Sequence, residues 1–296
     1  MSAVTSVTLC VVANETFAVG AEATLASAVA ATSAPVHAYV VAIDLGAEAK
    51  CRLMEVGARV SWVRLDQAQQ ELLGSFYTED RFSHWAAYAR VLLGDFLPAI
   101  DRVIYLDTDT VVVGDLTELS AFDLAGCTLG AVNDPLVAGM YARKVLGPDP
   151  ARPLKIPRYF NSGVMLIDLS RWRRGRVTER LIELLLERRP FAFYDQDPLN
   201  LLLRDDWTEL PEPWNRLVPQ PETVPAATSA VGRSGGMRRH LLLDDAKIVH
   251  FIGSRKPWMP TSTLEPTFSD LFWRYATIKR SGPQLGADPA ISSQGS

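Results

Sequence analysis

The chain has 296 residues, of which 48% are hydrophobic and 22% are charged, and its formal net charge at pH 7 is -4. This composition is typical of a soluble globular protein with ample core for one large domain or two small ones. The acidic balance and the absence of a basic stripe argue against a nucleic-acid partner. No apolar run approaches the length of a transmembrane segment.

Three widely spaced cysteines form no ligand motif, and such sparse usage favours a reducing compartment. The first ten residues lack the basic region and long apolar core of a signal peptide. We therefore expect a cytoplasmic protein. The sequence leaves open whether it forms a homodimer.

The first part of the chain alternates between strand and helix patterns. Apolar runs predict strands at residues 7–13, 37–43 and 59–64, and helical patterns at 17–31 and 47–56 separate them. This β-α-β-α-β order predicts a parallel sheet with right-handed crossovers. No Gly-x-Gly-x-x-Gly follows the first strand, so the common dinucleotide fingerprint is absent.

Residues 102–113 read Arg-Val-Ile-Tyr-Leu-Asp-Thr-Asp-Thr-Val-Val-Val. A short apolar run that ends in two carboxylates predicts a buried strand whose carboxyl end faces a ligand. Residues i and i+2 share a face of an extended chain, so Asp107 and Asp109 can point at one object while Thr108 points away. Two carboxylates so close repel unless one is protonated or a cation lies between them, and a divalent ion is the simplest resolution.

Two other interpretations of this motif stay open from the residues alone. The first is a strand end followed by an Asp-rich turn, with Asp107 as a cap. The second is the opening motif of haloacid-dehalogenase-type phosphatases, in which Asp107 would be the nucleophile and Asp109 the acid. That motif normally opens its domain, whereas several predicted elements precede it here.

The middle of the chain predicts a helix over residues 84–96, capped by Ser83, and a further short strand at 129–132. Residues 135–158, rich in proline and glycine, predict a long loop with at most one helical turn near Tyr141. Loops of this length in a compact domain are typically functional lids or disordered.

A buried strand is predicted at residues 159–168, entered through an Asn-Ser-Gly corner, with Ser170 capping the next helix. Asp197 followed by Pro198 predicts another helix start. If Asp197 is that cap, Asp195 and Gln196 are free to face a site.

The last part of the chain contains one strand and one helix by pattern. Residues 219–240 predict a flexible insertion, and residues 247–251 a last strand that ends near His250. A C-terminal helix is predicted within residues 263–280, at 268–278. Residues 281–296 have the composition of a disordered tail.

Together these motifs resemble glycosyltransferase family 8, the retaining enzymes that include bacterial lipopolysaccharide galactosyltransferases and the glycogenins. The resemblance runs from about Val7 to Trp258. In chain order its pieces are Val-Val-Ala-Asn-Glu-Thr-Phe17, Tyr-Ala-Arg90, Tyr-Leu-Asp-Thr-Asp109, Phe-Asn-Ser-Gly-Val164, Asp-Gln-Asp197 and His-Phe-Ile-Gly-Ser-Arg-Lys-Pro-Trp258. Their joint order and spacing carry the resemblance, since each piece alone is weak.

The resemblance implies a GT-A glycosyltransferase fold, an α/β architecture with a Rossmann-like, mainly parallel central sheet flanked by helices. A single catalytic domain would cover residues 1–262. Its donor site would lie within residues 7–115, and residues 135–158 would form a lid or acceptor loop.

The implied activity is a metal-dependent, retaining transfer of a hexose from UDP-glucose or UDP-galactose to a hydroxyl of a glycan or small molecule. Asp107 and Asp109 would hold a divalent cation, with His250 as the third protein ligand. The family usually uses manganese, with magnesium as the alternative, and mixed oxygen and imidazole ligands suit manganese better than calcium. The cation would neutralise the leaving diphosphate.

The resemblance also assigns donor-binding roles by position. Asp195 would accept hydrogen bonds from the sugar hydroxyls, and Gln196 would lie on the β face of the anomeric carbon. Lys256 would add a point charge at the diphosphate, which Gly253 would let the backbone approach. The other assigned residues are Val12, Ala13 and Asn14 for uridine, Arg90 and Thr108 for the remainder of the donor, and Asn161, Ser162 and Gly163 for the transferred sugar.

Two rival functions remain beside the phosphatase. One is self-glucosylation in the manner of the glycogenins, with Tyr141 or Tyr159 as primer. The other is a catalytically silent sugar-nucleotide binding module, for which a lost metal ligand would be expected and none is lost. Residues 135–158 and 219–240 match no family segment, so the resemblance does not supply the acceptor.

Overall fold

A computed structural model describes residues 4–76, 85–142, 156, 158–187, 191–218, 243–253 and 256–276. The predicted insertion at 219–240 and the predicted tail at 281–296 lie outside the described residues. So do Ser83 and residues 143–155 of the predicted loop.

The strands of the described chain alternate with helices through its first half. The strands are β1 (Val7–Asn14), β2 (Val36–Ile43), β3 (Arg59–Arg64), β4 (Arg102–Leu106), β5 (Thr110–Val112), β6 (Leu129–Asn133), β7 (Phe160–Asp168), β8 (Trp207–Glu209), β9 (Arg216–Leu217) and β10 (Ile248–His250).

The helices cover both faces of the sheet that these strands form. They are α1 (Ala18–Ala31), α2 (Ala47–Glu55), α3 (Gln67–Ser75), α4 (Leu93–Phe96), α5 (Leu116–Ser120), α6 (Pro135–Ala142), α7 (Leu169–Arg174), α8 (Val177–Leu186), α9 (Gln196–Leu202) and α10 (Pro266–Trp273). Short 3-10 segments occur at Glu15–Phe17, Trp85–Leu92 and Glu212–Asn215.

Within the described residues, the main sheet has seven strands in the order β3-β2-β1-β4-β7-β6-β8. Strand β1 pairs in parallel with β2 and β4, and β2 pairs in parallel with β3. Strand β7 runs antiparallel to both of its neighbours, β4 and β6. The predicted mainly parallel sheet flanked by helices is confirmed, whereas the reversed direction of β7 was not predicted.

Alternate residues of the central strands belong to two separate hydrophobic clusters. In β4, Val103 and Tyr105 join one cluster, while Ile104 and Leu106 join the other. Successive side chains of a strand point to opposite faces, so each face of the sheet packs its own layer of helices. The central strands are therefore buried on both faces, which explains their nearly continuous apolar sequence.

A second, three-stranded sheet has the order β5-β10-β9. Its strand β5 directly follows the two aspartates in the sequence. Its antiparallel register pairs His250 with Thr110, and the amide of Phe251 donates to the carbonyl of Asp109 at 2.9 Å. On the main sheet, the amide of Asp107 donates to the carbonyl of Gly163 at 2.7 Å. These two pairings bring β7 and β10, which are distant in the sequence, to the carboxyl end of β4.

Several helix boundaries differ from the sequence predictions. The eight-residue helix α6 occupies the start of the segment that was predicted to be a loop, residues 135–158. The predicted helix at 84–96 is a 3-10 segment followed by the short α4. Helix α10 begins at Pro266 and ends at Trp273, earlier than the predicted 268–278.

The helix after β7 is capped by Asp168, not by the predicted Ser170. The Asp168 carboxylate accepts from the amide of Arg171 at 2.8 Å and from the hydroxyl of Ser170 at 2.6 Å. Aspartate at this position satisfies a free helical amide directly. Helix α7 ends at Arg174 with Gly175 as its C-cap, and Arg176, with φ of 51°, is the N-cap residue of α8.

Helix α1 supports the loop that carries the two aspartates. At Gly20, an added Cβ would lie 2.1 Å from the carbonyl oxygen of Thr108, so only glycine allows this approach. Two buried hydroxyls of α1 form hydrogen bonds with β5, the strand that follows the aspartate loop. Thr24 Oγ1 donates to the Thr110 carbonyl at 2.8 Å, and Ser27 Oγ accepts from the Val112 amide at 2.9 Å. These bonds satisfy buried polar groups and fix the loop on the helix.

The close contact at Gly20 predicts the outcome of a glycine-to-alanine substitution. Gly20→Ala should lower the free energy of unfolding by about 1–3 kcal/mol, because the helix or the aspartate loop must shift to admit the methyl group. Urea unfolding of the variant measures this change.

Gly74→Ala is the matched control, since a Cβ at this position in α3 would meet nothing within 4 Å. Alanine favours helix over glycine, so this variant should be neutral or more stable by up to about 1 kcal/mol. Equal stability of the two variants would contradict the close packing of α1 on the loop.

Candidate metal and ligand site

Asp107, Asp109 and His250 converge where the two sheets meet. One ligand atom from each side chain lies within 4.8 Å of the other two. Nε2 of His250 is 3.2 Å from Oδ1 of Asp109 and 3.9 Å from Oδ2 of Asp107. The structure thus brings together the three residues predicted as metal ligands.

Each carboxylate of this trio bonds other residues through one oxygen and turns the second toward His250. Oδ1 of Asp107 accepts from Arg90 Nη2 at 2.8 Å and from the Tyr105 hydroxyl at 2.9 Å. Oδ2 of Asp109 accepts from Nζ of Lys256. Oδ1 of Asp109 is buried and accepts no well-aligned hydrogen bond from any described residue. Such a buried oxygen is costly without a partner, so the trio fits a divalent cation.

The charge state of Asp109 also suits a cation. Burial raises the pKa of this carboxyl, but the neighbouring Lys256 and His250 outweigh burial and hold the pKa well below its usual range. Asp109 is therefore an anion at neutral pH.

Arg90 is a buried cation that ties several site residues together. Its Nη1 donates to the carbonyl of Ser162 at 2.9 Å, and its Nε lies 3.0 Å from Oδ2 of Asp195. Its guanidinium also lies 4.6 Å from the ring centre of Tyr105. Burial lowers the pKa of Arg90, but Asp107 and Asp195 raise it above its usual value, so Arg90 stays charged. The guanidinium that was expected to contact the donor thus bonds protein groups extensively.

The helix start at Asp197 differs from the prediction. Asp197 is fully buried inside α9, where it accepts from the Tyr159 hydroxyl at 2.6 Å and from the Phe193 amide at 3.0 Å. It is therefore not the cap, because its oxygens serve these two donors. Asp195 occupies the cap position but makes no capping hydrogen bond.

Asp195 and Gln196 are also less free than the sequence suggested. The Asp195 carboxylate is buried and accepts from Ser162 Oγ at 3.3 Å, and burial, opposed by Arg90, raises its pKa to about 6. Gln196 Oε1 accepts from the Ser162 amide at 2.9 Å, while its Nε2 donates to the Tyr159 hydroxyl at 3.3 Å. Both side chains are held in fixed orientations beside the Asn-Ser-Gly corner.

Gly163 packs against the metal ligands. A Cβ at this position would lie 2.2 Å from Cε1 of His250 and 2.8 Å from Oδ2 of Asp107. Glycine is therefore required here to admit the imidazole beside the carboxylate, a reason that the sequence did not reveal.

A cavity of 680 Å³ opens beside the trio. The residues that line it and that the sequence predicted for the site are Val12, Asn14, Arg90, Asp107, Thr108, Asp109, Gly253 and Lys256. Among the described residues, the predicted positions that do not line it are Ala13, Asn161, Ser162, Gly163, Asp195, Gln196 and His250.

Sequence reasoning missed several residues of the site. The cavity is also lined by Thr16, Phe17, Ala86, Ala87, Tyr105, Tyr194 and Met259. Phe17 and Tyr105 stand inside motifs that were recognised, so they could have been found. Asn215, whose Oδ1 lies 3.0 Å from Nδ1 of His250, belongs to no recognised motif.

A family model described as glycosyl transferase family 8 matches residues 8–262. General stress protein A of Bacillus subtilis (strain 168) is 31% identical over 203 residues, which cover 66% of each chain. The lipopolysaccharide 1,2-glucosyltransferase of Escherichia coli (strain K12) is 27% identical over 203 residues, covering 68% of this chain and 56% of the relative. The matched region thus spans between about half and two thirds of these relatives.

Two solved structures share the fold. The galactosyltransferase LgtC in complex with donor and acceptor sugar analogues superposes with a TM-score of 0.69 at 23% identity, covering 92% of this chain and 97% of LgtC. The glycosyltransferase GlyE of Streptococcus pneumoniae TIGR4 gives a TM-score of 0.63 at 22% identity, covering 93% and 62% of the two chains. Among the helices described here, none has the length and apolar character needed to span a membrane. The predicted GT-A fold is confirmed, and the chain belongs to glycosyltransferase family 8.

Proposed function

We propose that this protein catalyses the metal-dependent, retaining transfer of a hexose from a UDP-sugar to a hydroxyl acceptor. The observation that carries the proposal is the trio of Asp107, Asp109 and His250, whose ligand atoms lie within 4.8 Å of one another beside a large cavity. Family membership supports a nucleotide-sugar donor, and a divalent cation is the usual partner of a diphosphate.

UDP-glucose and UDP-galactose are the proposed donors. The names of two similar proteins, a glucosyltransferase and a galactosyltransferase, support these sugars. Asn14 lies at the end of β1 on the cavity wall, and its Oδ1 accepts from the amide of Phe17 at 3.0 Å. This bond fixes the amide group, which we assign to the uracil edge because an amide can both donate and accept.

Asp107, Asp109 and His250 would hold manganese, or alternatively magnesium. Such an ion, when bound, supplies positive charge that stabilises the leaving diphosphate. Lys256 lines the same cavity, with Nζ 3.2 Å from the carbonyl of Phe251, and would bind the diphosphate as a point charge. Gly253, with φ of 100°, adopts a conformation that favours glycine and lets the backbone approach the phosphates.

The proposed route to retention needs no covalent intermediate. A double displacement requires a carboxylate on the β face of the anomeric carbon. Gln196, which we assign to that face, is an amide and a poor nucleophile, and the Asp195 carboxylate is already paired with Arg90.

A front-face reaction is therefore favoured. The bond between the anomeric carbon and the phosphate oxygen breaks, and the acceptor hydroxyl forms its new bond from the same side. A short-lived oxocarbenium-like species separates the two events. The departing phosphate oxygen takes the acceptor's proton, so no separate base is required.

The rival functions receive less support. Tyr159 is fully buried and its hydroxyl donates to Asp197 at 2.6 Å, so it is inaccessible as a primer in the folded protein. The side chain of Tyr141 lies outside the described residues, and an intact-mass measurement after incubation with UDP-glucose would detect glucose on it. Nothing in the comparisons supports a phosphatase.

Thermal unfolding with UDP-sugars tests the proposed metal dependence. UDP, UDP-glucose or UDP-galactose should stabilise the wild-type protein more with Mn²⁺ than without it. A ligand at a hundred times its Kd adds about 2.7 kcal/mol to stability. Asp109→Ala should remove the metal-dependent gain and abolish turnover, because the diphosphate loses its neutralising ion.

Asp205→Ala is the control for this measurement. Its side chain is 88% exposed and pairs only with a neighbouring surface arginine among the described residues, so the variant should keep the full metal-dependent gain. Near-normal turnover or an unchanged Mn²⁺ effect in Asp109→Ala would show that the metal assignment is wrong.

The proposed roles of Asp195 and Lys256 predict different kinetic effects. Asp195→Asn keeps the size of the side chain but loses its charge, and it should change the ranking of UDP-hexoses by kcat/KM. Lys256→Ala should lower turnover for all donors alike, because every donor has the same leaving group. An unchanged ranking in Asp195→Asn would remove the specificity role.

The stereochemistry of the product tests the proposed mechanism. Gln196→Ala should slow transfer while the product retains the donor's configuration, which proton NMR of the first product reads directly. A β-linked product from an α-linked donor would contradict retention. A hexose found by mass spectrometry on Asp195, after quenching with donor alone, would instead establish a covalent route.

A further inference from the structure

His250 is connected to the interior by a chain of buried polar side chains. Asn161 on β7, Asn215 at the end of a 3-10 segment and His250 on β10 are 7%, 1% and 4% exposed. Nδ2 of Asn215 lies 2.9 Å from Oδ1 of Asn161, and Oδ1 of Asn215 lies 3.0 Å from Nδ1 of His250. Three separate elements thus meet in one hydrogen-bonded row.

One backbone amide sets the direction of every bond in this row. The amide of Gly163 lies 3.0 Å from Oδ1 of Asn161 and can only donate, so the Asn161 atom that faces it must be the oxygen. The same oxygen faces Asn215, which must therefore present its NH₂ group. The other end of the Asn215 amide is then an oxygen that can only accept, so Nδ1 of His250 carries a proton.

We infer that Asn215 is a positioning residue that holds His250 as its Nδ1–H tautomer, leaving the Nε2 lone pair for the cation between Asp107 and Asp109. This inference rests on the proposed function. Metal-ligating histidines typically donate their second ring N–H to an oxygen, and that partner fixes the tautomer and the ring orientation. Here a neutral amide supplies the oxygen.

The geometry around the ring supports this role. Nε2 of His250 lies 3.2 Å from Oδ1 of Asp109, so a lone pair on Nε2 faces the carboxylate oxygen at a distance that a bound cation between them can bridge. The backbone at Gly163 packs against Cε1, the carbon between the two ring nitrogens, where even a methyl group would lie 2.2 Å away. Contact with Gly163 and the hydrogen bond to Asn215 therefore both restrict the orientation of the ring.

Manganese binding by the metal-stripped full chain tests the inference. The electron paramagnetic resonance signal of free Mn²⁺ measures its affinity in the presence of a fixed concentration of UDP. Asn215→Leu has a similar size but no hydrogen bonds, and it should weaken Mn²⁺ binding about 10–100-fold. Asn215→Asp keeps an acceptor for the Nδ1–H group and should bind Mn²⁺ nearly as the wild type does.

Thermal unfolding without metal separates positioning from stability. Both Asn215 variants should be destabilised, because both lose the NH₂ donor to Asn161. Asn200→Leu is the control: Asn200 is also buried, but it bonds the amide and carbonyl of Phe160, so its variant should lose stability without losing Mn²⁺ affinity. If Asn215→Leu does not fold, Asn161→Leu provides a second test. This variant frees the Asn215 amide to turn, so it should weaken Mn²⁺ binding in the same way.

Each outcome has a distinct meaning. Wild-type affinity in the leucine variants, or equal loss of Mn²⁺ in Asn215→Asp and Asn215→Leu, would overturn the inference. Failure of the wild-type protein itself to bind Mn²⁺ with UDP would overturn the proposed function, and the inference with it.

Discussion

The site depends on the repulsion between two carboxylates that the chain holds side by side. Asp107 and Asp109 each have one oxygen bonded to a cation, the buried Arg90 in one case and the partly exposed Lys256 in the other. These cations stabilise the outer oxygens and leave the inner ones facing His250. A positive charge among the three side chains, either a proton on Nε2 of His250 or a bound cation, offsets the charge of these inner oxygens.

The fold supplies this arrangement through strand register. The pairing of β4 with β7 sets Gly163 beside Asp107, and the pairing of β5 with β10 sets His250 beside Asp109. A one-residue slip in either register would turn the ligand to the opposite face of its strand. Helix α1 limits such slips, because Gly20 and the hydroxyl of Thr24 hold the intervening loop against it.

Much of this architecture could be predicted from the sequence. Apolar β-branched runs predicted β1, β2 and β3 to within a residue, since buried parallel strands leave a clear pattern. The Asp-x-Asp motif predicted that Asp107 and Asp109 face one object, and the resemblance to family 8 added His250; the structure brings the three side chains together. The antiparallel direction of β7 could not be predicted, because a strand buried on both faces has the same composition in either direction.

The polar contacts between elements were the part that the sequence could not reveal. Asn215 and His250 are 35 positions apart, and Arg90 and Ser162 are 72 apart, so no local periodicity records either bond. Asp197 looked like a helix cap because a proline follows it, but the hydroxyl of Tyr159, 38 positions away, takes its oxygen instead. Tertiary hydrogen bonds overrode the local pattern in each case.

The proposed function requires a divalent cation to bind between these three side chains together with a uridine diphosphate. Diffraction at the manganese absorption edge, from crystals grown with UDP and Mn²⁺, locates the ion directly. We expect one anomalous peak in contact with Oδ2 of Asp107, Oδ1 of Asp109 and Nε2 of His250. Bound UDP with no peak there, or with the ion held by other protein groups, would contradict it.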